Sequence, residues 1–326
     1  MTRRRLSTSL LAVLVCVLLT SCGLTSGAAV PGQVGPGSIT RVPELVGVPI
    51  TVGSKDFSDN INIGYLMIYA LQAAGMKVQD LTNIQGSNSA RTALKTGQID
   101  LYPEYTGTSW INYNGHTKPI VDADEMFRAV AAEDARQGIS WVDRAPANNT
   151  YAMAMGPAAQ RKYGFKTLSD LAKFAKANPS QVTTCLETEF ASRTDGWPGM
   201  TAAYGFTVPP SGVHTMGTGA VYPSTASGQP CEFGEVFTTD GRIQALHLTV
   251  LDDDLGFFPK YNVSVSIRSE LLDRYPQIAT VLKPVMDKIT NDVMIQLSAE
   301  TDVQGRDWSE VARQWLRQNG FVSDVS

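Results

Sequence analysis

Apolar residues follow two different spacings along this chain of 326 residues. Short apolar runs at 49–53 and 99–102 are typical of buried strands, whereas in the segments between them apolar residues recur every three or four positions, as on one face of a helix. The spacing predicts a helix that starts at Ser58 or Asp59, with one of these side chains as its cap, and continues to Gly75. Alternating strands and helices predict a mainly parallel α/β sheet.

The rest of the chain continues this alternation. Val and Ser alternate over 261–267, as in a half-buried strand, and residues 207–229 are rich in Gly, Ser and Pro, which indicates a loop-dominated segment. Near the C-terminus, apolar residues from 278 to 293 and from 308 to 316 indicate helices with packing faces. Further helices are predicted over 86–94, 122–137 and 167–177, and further strands over 77–81, 150–155, 181–186, 236–239 and 248–251.

A chain of this length exceeds what one hydrophobic core usually serves, so two lobes are expected. The simplest arrangement places residues 42–147 and 255–326 in lobe I and residues 148–254 in lobe II. The chain then crosses between the lobes twice. Such an arrangement predicts a ligand cleft between the lobes and hinge closure around the ligand.

The N-terminus reads as a secretion signal followed by an acylation site. Three arginines at 3–5 precede an apolar stretch at 10–19, and small residues then lead to Cys22. This pattern predicts a lipoprotein signal peptide over 1–21 and a lipid-modified Cys22 on the outer face of a bacterial cytoplasmic membrane. The alternatives are an uncleaved anchor or a chance match. Residues 22–41 are rich in Gly, Ser, Ala and Pro and predict a flexible tether.

Two cysteines remain after the signal and the acylation site. In an oxidising compartment Cys185 and Cys231 form one even pair, which predicts a disulfide, the alternative being two separate buried thiols. The three histidines, His116, His214 and His247, are scattered, and no Cys/His cluster has ligand spacing, so neither a metal nor a cofactor is expected.

Charge and motifs exclude two function classes. The net charge is −4, with Lys and Arg dispersed, which gives no electrostatic footprint for nucleic acid. The sequence lacks the common motifs of hydrolases, metalloproteases and nucleotide-binding loops. Glu104 and Glu189 are the best carboxylate candidates for catalysis, yet both lie in motifs that read as binding motifs, so an enzyme is not expected.

Four short motifs occur in a characteristic order: GSKDF at 53–57, PEYTGT at 103–108, EFASRTDG at 189–196 and FTTD at 237–240. Together they make the chain resemble the substrate-binding lipoproteins of osmoprotectant ABC importers, over about residues 50–321. Members of that family bind glycine betaine, choline, carnitine and related quaternary amines. The resemblance implies a two-lobed α/β fold, the type II periplasmic-binding-protein fold, with the ligand between the lobes.

The resemblance also implies which residues bind the ligand. Aromatic faces attract a quaternary ammonium group that cannot donate a hydrogen bond. The matching cage positions are Tyr105, Tyr151, Phe237 and Tyr261, with Phe237 replacing the family's usual tyrosine. Candidates for binding a ligand carboxylate are Lys55, Thr108 and Arg193, the last through a bidentate contact. Asn149 stands where some relatives carry an acid near the ammonium group. The neutral amide of Asn149 weakens the attraction for choline, which has no carboxylate, and so slightly favours zwitterionic ligands.

The implied partners are a small quaternary amine, an ABC permease and, through the permease, a separate ATPase subunit, with the membrane reached only through the lipid anchor. A monomer is expected. Two alternatives stay open: a receptor for a different betaine such as ergothioneine, and a surface sensor lipoprotein with the same fold.

Overall fold

The computed structural model describes residues 28–325 of the chain. The predicted signal peptide and Cys22 therefore lie outside the described residues. The strands in this range are β1 (Ala28–Ala29), β2 (Gly35–Pro36), β3 (Pro49–Lys55), β4 (Lys77–Ile84), β5 (Leu101–Tyr105), β6 (Ile139–Val142), β7 (Tyr151–Met155), β8 (Thr184–Glu187), β9 (Val213–Met216), β10 (Phe233–Phe237), β11 (Thr249–Val250), β12 (Val263–Arg268) and β13 (Val322–Ser323).

Helices connect these strands and cover the sheets. They are α1 (Ser58–Ala73), α2 (Ser87–Lys95), α3 (Thr106–Thr108), α4 (Ala123–Ala135), α5 (Pro157–Tyr163), α6 (Leu168–Ala177), α7 (Thr188–Ser192), α8 (Trp197–Tyr204), α9 (Thr218–Ser227), α10 (Arg242–Ala245), α11 (Ser269–Arg274), α12 (Gln277–Met286), α13 (Asn291–Ser298) and α14 (Trp308–Gln318). Within residues 28–325, none of the helices is long and apolar enough to cross a membrane.

The first lobe is built on a six-stranded sheet with the order β1-β4-β3-β5-β12-β6. Strand β3 runs parallel to β4 and β5, but β12 runs antiparallel to both of its neighbours. The prediction of a mainly parallel sheet is therefore wrong. Strand β5 ends at Tyr105, which pairs with Val263, the first residue of β12, so a chain that enters the sheet there must run in the opposite direction.

The second lobe is built on a five-stranded sheet with the order β11-β7-β10-β8-β9. It is also mixed, because β10 runs parallel to β8 and antiparallel to β7. The predicted disulfide joins Cys185 in β8 to Cys231 just before β10, and their Cα atoms are 5.5 Å apart. This distance is typical of disulfides, and the bond ties two neighbouring strands together.

Two segments, 143–150 and 251–262, connect the sheets, and they lie side by side. Asn148 and Asn262 form an antiparallel bridge between them. The Asn148 side-chain oxygen accepts from the backbone N–H of Tyr261 at 2.7 Å, and Asn262 Nδ2 donates to the carbonyl of Ala147 at 2.8 Å. The predicted lobe boundaries, after residues 147 and 254, fall within these two segments. The pairing places both crossings at the base of the cleft.

Three further predictions, for residues 22–41, 207–229 and 261–267, are wrong. From residue 28 onward the tether expected over 22–41 packs on the first lobe: β1 pairs with the edge strand β4, β2 pairs with β13, and Val34 and Ile39 are only 8% and 5% exposed. Pairing with β1 satisfies the backbone groups of a sheet edge that would otherwise be open. These hydrogen bonds compensate for the small number of apolar side chains in the tether segment.

The second and third corrections also arise from tertiary packing. The segment 207–229 contains β9 and α9, and α9 buries Val221 and Tyr222 against the second sheet. Strand β12 is buried on both faces, including Ser264 and Ser266; it lies between β5 and β6 in the interior of its sheet and contacts helices α2 and α11.

Candidate ligand-binding site

One small cavity lies between the two sheets. All eight residues predicted to bind the ligand line it, together with Phe57, Asp59 and Ser87, which lie outside that set. The predicted ones are Lys55, Tyr105, Thr108, Asn149, Tyr151, Arg193, Phe237 and Tyr261. Residues separated by up to about two hundred positions in sequence thus meet at one place.

The fold explains why these residues meet. Lys55, Tyr105 and Phe237 are the last residues of β3, β5 and β10, and Tyr151 is the first residue of β7, the antiparallel neighbour of β10. Ligands of α/β sheets bind outside the carboxyl ends of the strands, and here those ends from both sheets face the same space. Tyr261 comes from the segment that links the lobes.

Five aromatic rings line the cavity, and we call them the aromatic wall: Phe57, Tyr105, Tyr151, Phe237 and Tyr261. The centroid of the Tyr151 ring is 5.2 Å from the centroids of both Phe237 and Tyr261, and Phe57 is 5.6 Å from Phe237. Rings from both lobes therefore line the same space.

A glycine allows one of these rings to approach the first lobe closely. A Cβ atom added to Gly107 would lie only 2.7 Å from Cε1 of Tyr261. Larger residues at position 107 would push the Tyr261 ring from its place. The glycine of the PEYTGT motif is thus required by packing at the aromatic wall, and the neighbouring Thr108 is buried at the cavity.

Four of the other six cavity residues, Lys55, Ser87, Thr108 and Arg193, form what we call the polar wall. Lys55 is 1% exposed, and its Nζ is 2.5 Å from Glu104 Oε1. Glu104 also accepts hydrogen bonds from the Tyr102 and Tyr113 hydroxyls at 2.6 and 2.9 Å. The charge of Lys55 is therefore balanced inside the protein, and two further lysine N–H groups stay available as donors.

Arg193 is paired in the same way. Its Nε and Nη2 donate to the two carboxylate oxygens of Asp195 at 2.8 and 2.5 Å, and Nη1 lies 3.4 Å from Glu189. Asp195 additionally accepts from the Tyr261 hydroxyl at 2.5 Å. Asp195 thus occupies the Nε–Nη2 edge of the guanidinium. A bidentate contact with a ligand can form only through the remaining N–H groups of Nη1 and Nη2.

Direct contacts hold the lobes together beside the cavity. Glu189, from the second lobe, accepts hydrogen bonds from both the backbone N–H and the hydroxyl of Ser87 in the first lobe, at 2.5 and 2.7 Å. Burial alone would raise the pKa of Glu189, but Lys55 and the Ser87 hydrogen bonds lower it on balance. Arg242 of the second lobe also lies 3.6 Å from Asp302 of the first. The structure is therefore the closed form.

The most informative of the missed residues is Asp59, which adjoins Tyr105 and Asn149. The Tyr105 hydroxyl donates to Asp59 Oδ2, and Asn149 Nδ2 donates to the same oxygen at 2.9 Å. The Asn149 side-chain oxygen accepts from Thr239 at 2.5 Å. Burial, followed by the charge of Asp240, raises the pKa of Asp59 to about 7. Although position 149 is neutral, a carboxyl group therefore lies at this side of the cavity.

The sequence contained a signal at Asp59, but a polar residue at the start of a helix predicts a helix cap. The N-cap of α1 is Phe57, and neither Ser58 nor Asp59 caps it through its side chain, so that prediction is wrong. The Ser58 hydroxyl donates to Asp302 at 2.6 Å instead. Polar side chains in a first helical turn that is otherwise buried would have indicated a site, since capping normally occurs at exposed helix ends.

The cavity has no arrangement suited to a metal. Within residues 28–325, no group of three or more His, Cys, Asp or Glu side chains is placed to hold a metal ion. Glu104 and Glu189, the best carboxylate candidates for catalysis, are committed to Lys55, Ser87 and Arg193. The arrangement is suited to enclosing a small charged molecule.

Comparison with known proteins agrees with this geometry. The family described as the substrate binding domain of the ABC-type glycine betaine transport system matches residues 48–318. The chain is 33% identical over 280 residues to a glycine-betaine-binding protein of Pseudomonas aeruginosa, a match that covers 84% of this chain and 89% of that protein.

Two further relatives extend the comparison. An ergothioneine transport permease/ergothioneine binding protein of Helicobacter pylori, EgtU, is 30% identical over 274 residues, which cover 84% of this chain and 48% of that longer protein. The solved structure of apo YehZ from Escherichia coli is similar with a TM-score of 0.62 at 27% identity, over 84% of this chain and 99% of that one. This chain belongs to the family of substrate-binding proteins of betaine-type ABC transporters, with the type II periplasmic-binding-protein fold.

Proposed function

We propose that this protein is the extracytoplasmic receptor of an ABC importer and that it captures a small quaternary-ammonium solute in the cavity between its lobes. The observation that carries the proposal is the meeting of five aromatic rings, two cationic side chains and one unpaired carboxyl group around one enclosed space. Glycine betaine, choline, carnitine or a related betaine fits this chemistry.

The aromatic wall supplies the larger part of the proposed affinity. A cation–π contact contributes about 0.5–2 kcal/mol, and five rings can therefore account for much of the roughly 8 kcal/mol that micromolar binding requires. Phe57 adds a ring to the four predicted ones. Phe237 keeps a π face without a hydroxyl, so it adds attraction but no hydrogen bond.

The polar wall is the proposed partner of a ligand carboxylate. Lys55 retains two N–H donors, Arg193 retains N–H groups on Nη1 and Nη2, and Ser87 and Thr108 add hydroxyls. Because internal carboxylates already balance both cations, a ligand carboxylate would join a neutralised network. We therefore propose that it adds orientation and selectivity more than affinity.

Ergothioneine is the alternative ligand, and the specific observation that favours it is the Helicobacter pylori relative named for it. The two lobes leave little free space between the residues that line the cavity, which favours compact betaines. A more open arrangement of the lobes would be needed for a ligand that carries a ring.

The remaining parts of the proposal concern transport. Lipid attached to Cys22 would hold the receptor at the outer face of the cytoplasmic membrane, and a permease would accept the solute from the closed monomer while a separate subunit hydrolyses ATP. Closure follows because the ligand contacts both lobes and so stabilises the closed form. A sensor with the same fold would lack the genes for a permease and an ATPase beside its own.

The test is calorimetric titration of a chain that starts at residue 23, which keeps every strand and helix described above. Glycine betaine, choline, carnitine and ergothioneine are titrated separately. Micromolar binding of one of them supports the proposal and identifies the solute. If none of the four binds below millimolar concentration, the proposed ligand class is wrong.

A further inference from the structure

Asp59 differs from Glu104, Asp195 and Glu189 in lacking a cationic partner. Glu104 pairs with Lys55, and Asp195 and Glu189 both pair with Arg193. In the part of the chain that the structure describes, no lysine, arginine or histidine nitrogen lies within 4.0 Å of the Asp59 carboxylate. Its two side-chain donors, the Tyr105 hydroxyl and the Asn149 amide, are both neutral.

The charged groups around Asp59 make its ionisation still less favourable. Asp240, in the turn after β10, and Asp302, after α13, both raise its pKa, whereas Lys55 in β3 has a weaker opposite effect. Asp240 and Asp302 share one cation, Arg242, at 2.5 and 3.6 Å. Three acids thus face this region with one arginine between them, and that arginine is already committed to the other two.

The ligand proposed above would supply the missing charge. A quaternary nitrogen cannot donate hydrogen bonds, so apart from ring contacts it is attracted only by negative charge. A buried carboxylate beside the aromatic wall supplies such a charge, and its attraction is strong because little solvent screens it. In an empty cavity the same carboxylate would be a buried charge without a counter-charge, which is costly, and protonation removes that cost.

We infer that Asp59 is the anionic partner of the ligand's ammonium group, that it carries a proton in the closed cavity without a cation, and that it releases that proton to the solvent when the cation binds. The inference rests on the proposed function and deepens it, since it assigns the cation to one side chain and couples capture to pH. No other bond is made or broken.

The coupling predicts a specific pH dependence. Burial in the closed form raises the pKa of Asp59 to about 7, so binding to this form that requires the ionised side chain should be roughly 30-fold weaker at about pH 5.5 than at about pH 8. Affinity therefore rises with pH and levels off above the pKa. The carboxylate of glycine betaine stays ionised over this range and adds no pH dependence of its own.

The experiment repeats the calorimetric titration with whichever of the four solutes binds most tightly, at several pH values between about 5.5 and 8. Each pH is measured in two buffers with different ionisation enthalpies, which counts the protons released on binding. The expected result at the lowest pH is release of nearly one proton. This measurement needs no variant, so it does not depend on whether a variant folds.

Asp59→Asn then assigns the proton to its residue. The variant should bind more weakly than the wild type does at the lowest pH, and its affinity should no longer change with pH. The matched control is Asp273→Asn, which removes an exposed carboxylate of α11 and should leave both the affinity and its pH dependence unchanged.

The outcomes separate the inference from the proposed function. Wild-type binding that is equally tight at all pH values, without proton release, overturns the inference and leaves the proposed function intact. A pH dependence that persists in Asp59→Asn also overturns it, because another group then titrates. If no quaternary amine binds at any pH, the proposed function itself fails.

Discussion

The two walls of the cavity treat charge in opposite ways. On the polar wall, Lys55 and Arg193 are neutralised by carboxylates within the protein before any ligand arrives. On the aromatic side, Asp59 faces the cavity with neutral hydrogen-bond donors and no cation. The anionic end of a zwitterion would therefore meet cations that carboxylates of the protein already neutralise. Its cationic end would instead supply the counter-charge that Asp59 lacks. Recognition of the cation should therefore dominate.

Removal of the central ring of the aromatic wall should have the largest effect. Tyr151 packs against Phe237 and Tyr261, so Tyr151→Ala removes one ring and loosens two others. We expect the affinity for a quaternary amine to fall on the order of 100-fold, since cation–π attraction and exclusion of water are lost together. Calorimetry measures the loss, and Tyr151→Phe, which keeps the ring, serves as control. Equal losses in both variants would contradict a role for the ring.

Removal of a cation from the polar wall should have a smaller effect that depends on the ligand. Arg193→Ala is expected to weaken the binding of glycine betaine about 10-fold, and that of choline, which has no carboxylate, by only about threefold. The change also leaves Asp195 without its partner, and loss of a buried partner typically costs about 3–5 kcal/mol in the free energy of unfolding. The thermal stability of each variant is therefore measured alongside its titration. If both ligands lose affinity equally, the polar wall does not recognise the carboxylate.

Loosening the contact between the lobes should have a still smaller effect. In the structure the Glu189 carboxylate accepts two hydrogen bonds from Ser87. Glu189→Gln retains the shape of this side chain but removes its negative charge. We expect a several-fold loss of affinity for all the quaternary amines, because a charged hydrogen bond contributes about 1.5–3 kcal/mol and the amide keeps part of it. Dissociation should become faster, which stopped-flow fluorescence can measure. A selective loss for one ligand would instead indicate direct contact with that ligand.

A second buried acid provides a comparison in which binding should not change at all. Glu235 is buried in β10 without a cation, and burial, followed by the charge of Glu187, raises its pKa to about 8. The folded protein thus retains a proton that the unfolded chain releases above its ordinary pKa of 4.5, so the free energy of unfolding falls as the pH rises towards 8.

Glu235→Gln should therefore flatten this fall, most clearly above the pKa of Asp59, while the pH dependence of ligand affinity stays as in the wild type. Chemical denaturation of the unliganded protein measures the first effect and calorimetry the second. Glu270→Gln, a change at a carboxylate whose side chain is 76% exposed, is the control for both. If Glu235→Gln abolished the pH dependence of binding, the proton would belong to Glu235 and not to Asp59.

Much of the site could be predicted because its motifs are local. The ordered motifs around Lys55, Tyr105, Arg193 and Phe237 pointed to residues that all line one cavity. Asp59 could not be predicted in the same way, since a polar residue at the start of a helix normally reads as a cap. Only the fold brings the Tyr105 hydroxyl and the Asn149 amide, 46 and 90 positions away, to its carboxylate.

Hydrophobic spacing and short motifs are properties of neighbouring residues, and from them the sequence predicted the positions of most strands and helices, the pairing of Cys185 with Cys231 and eight of the residues that line the cavity. Tertiary structure alone decided the direction of β12, the docking of residues 28–41 on a sheet edge and the helix α9 within a Gly-rich segment. It also decided which charges are balanced. Each of these depends on groups that are distant in the chain, whose free energy of interaction appears only when folding brings them together.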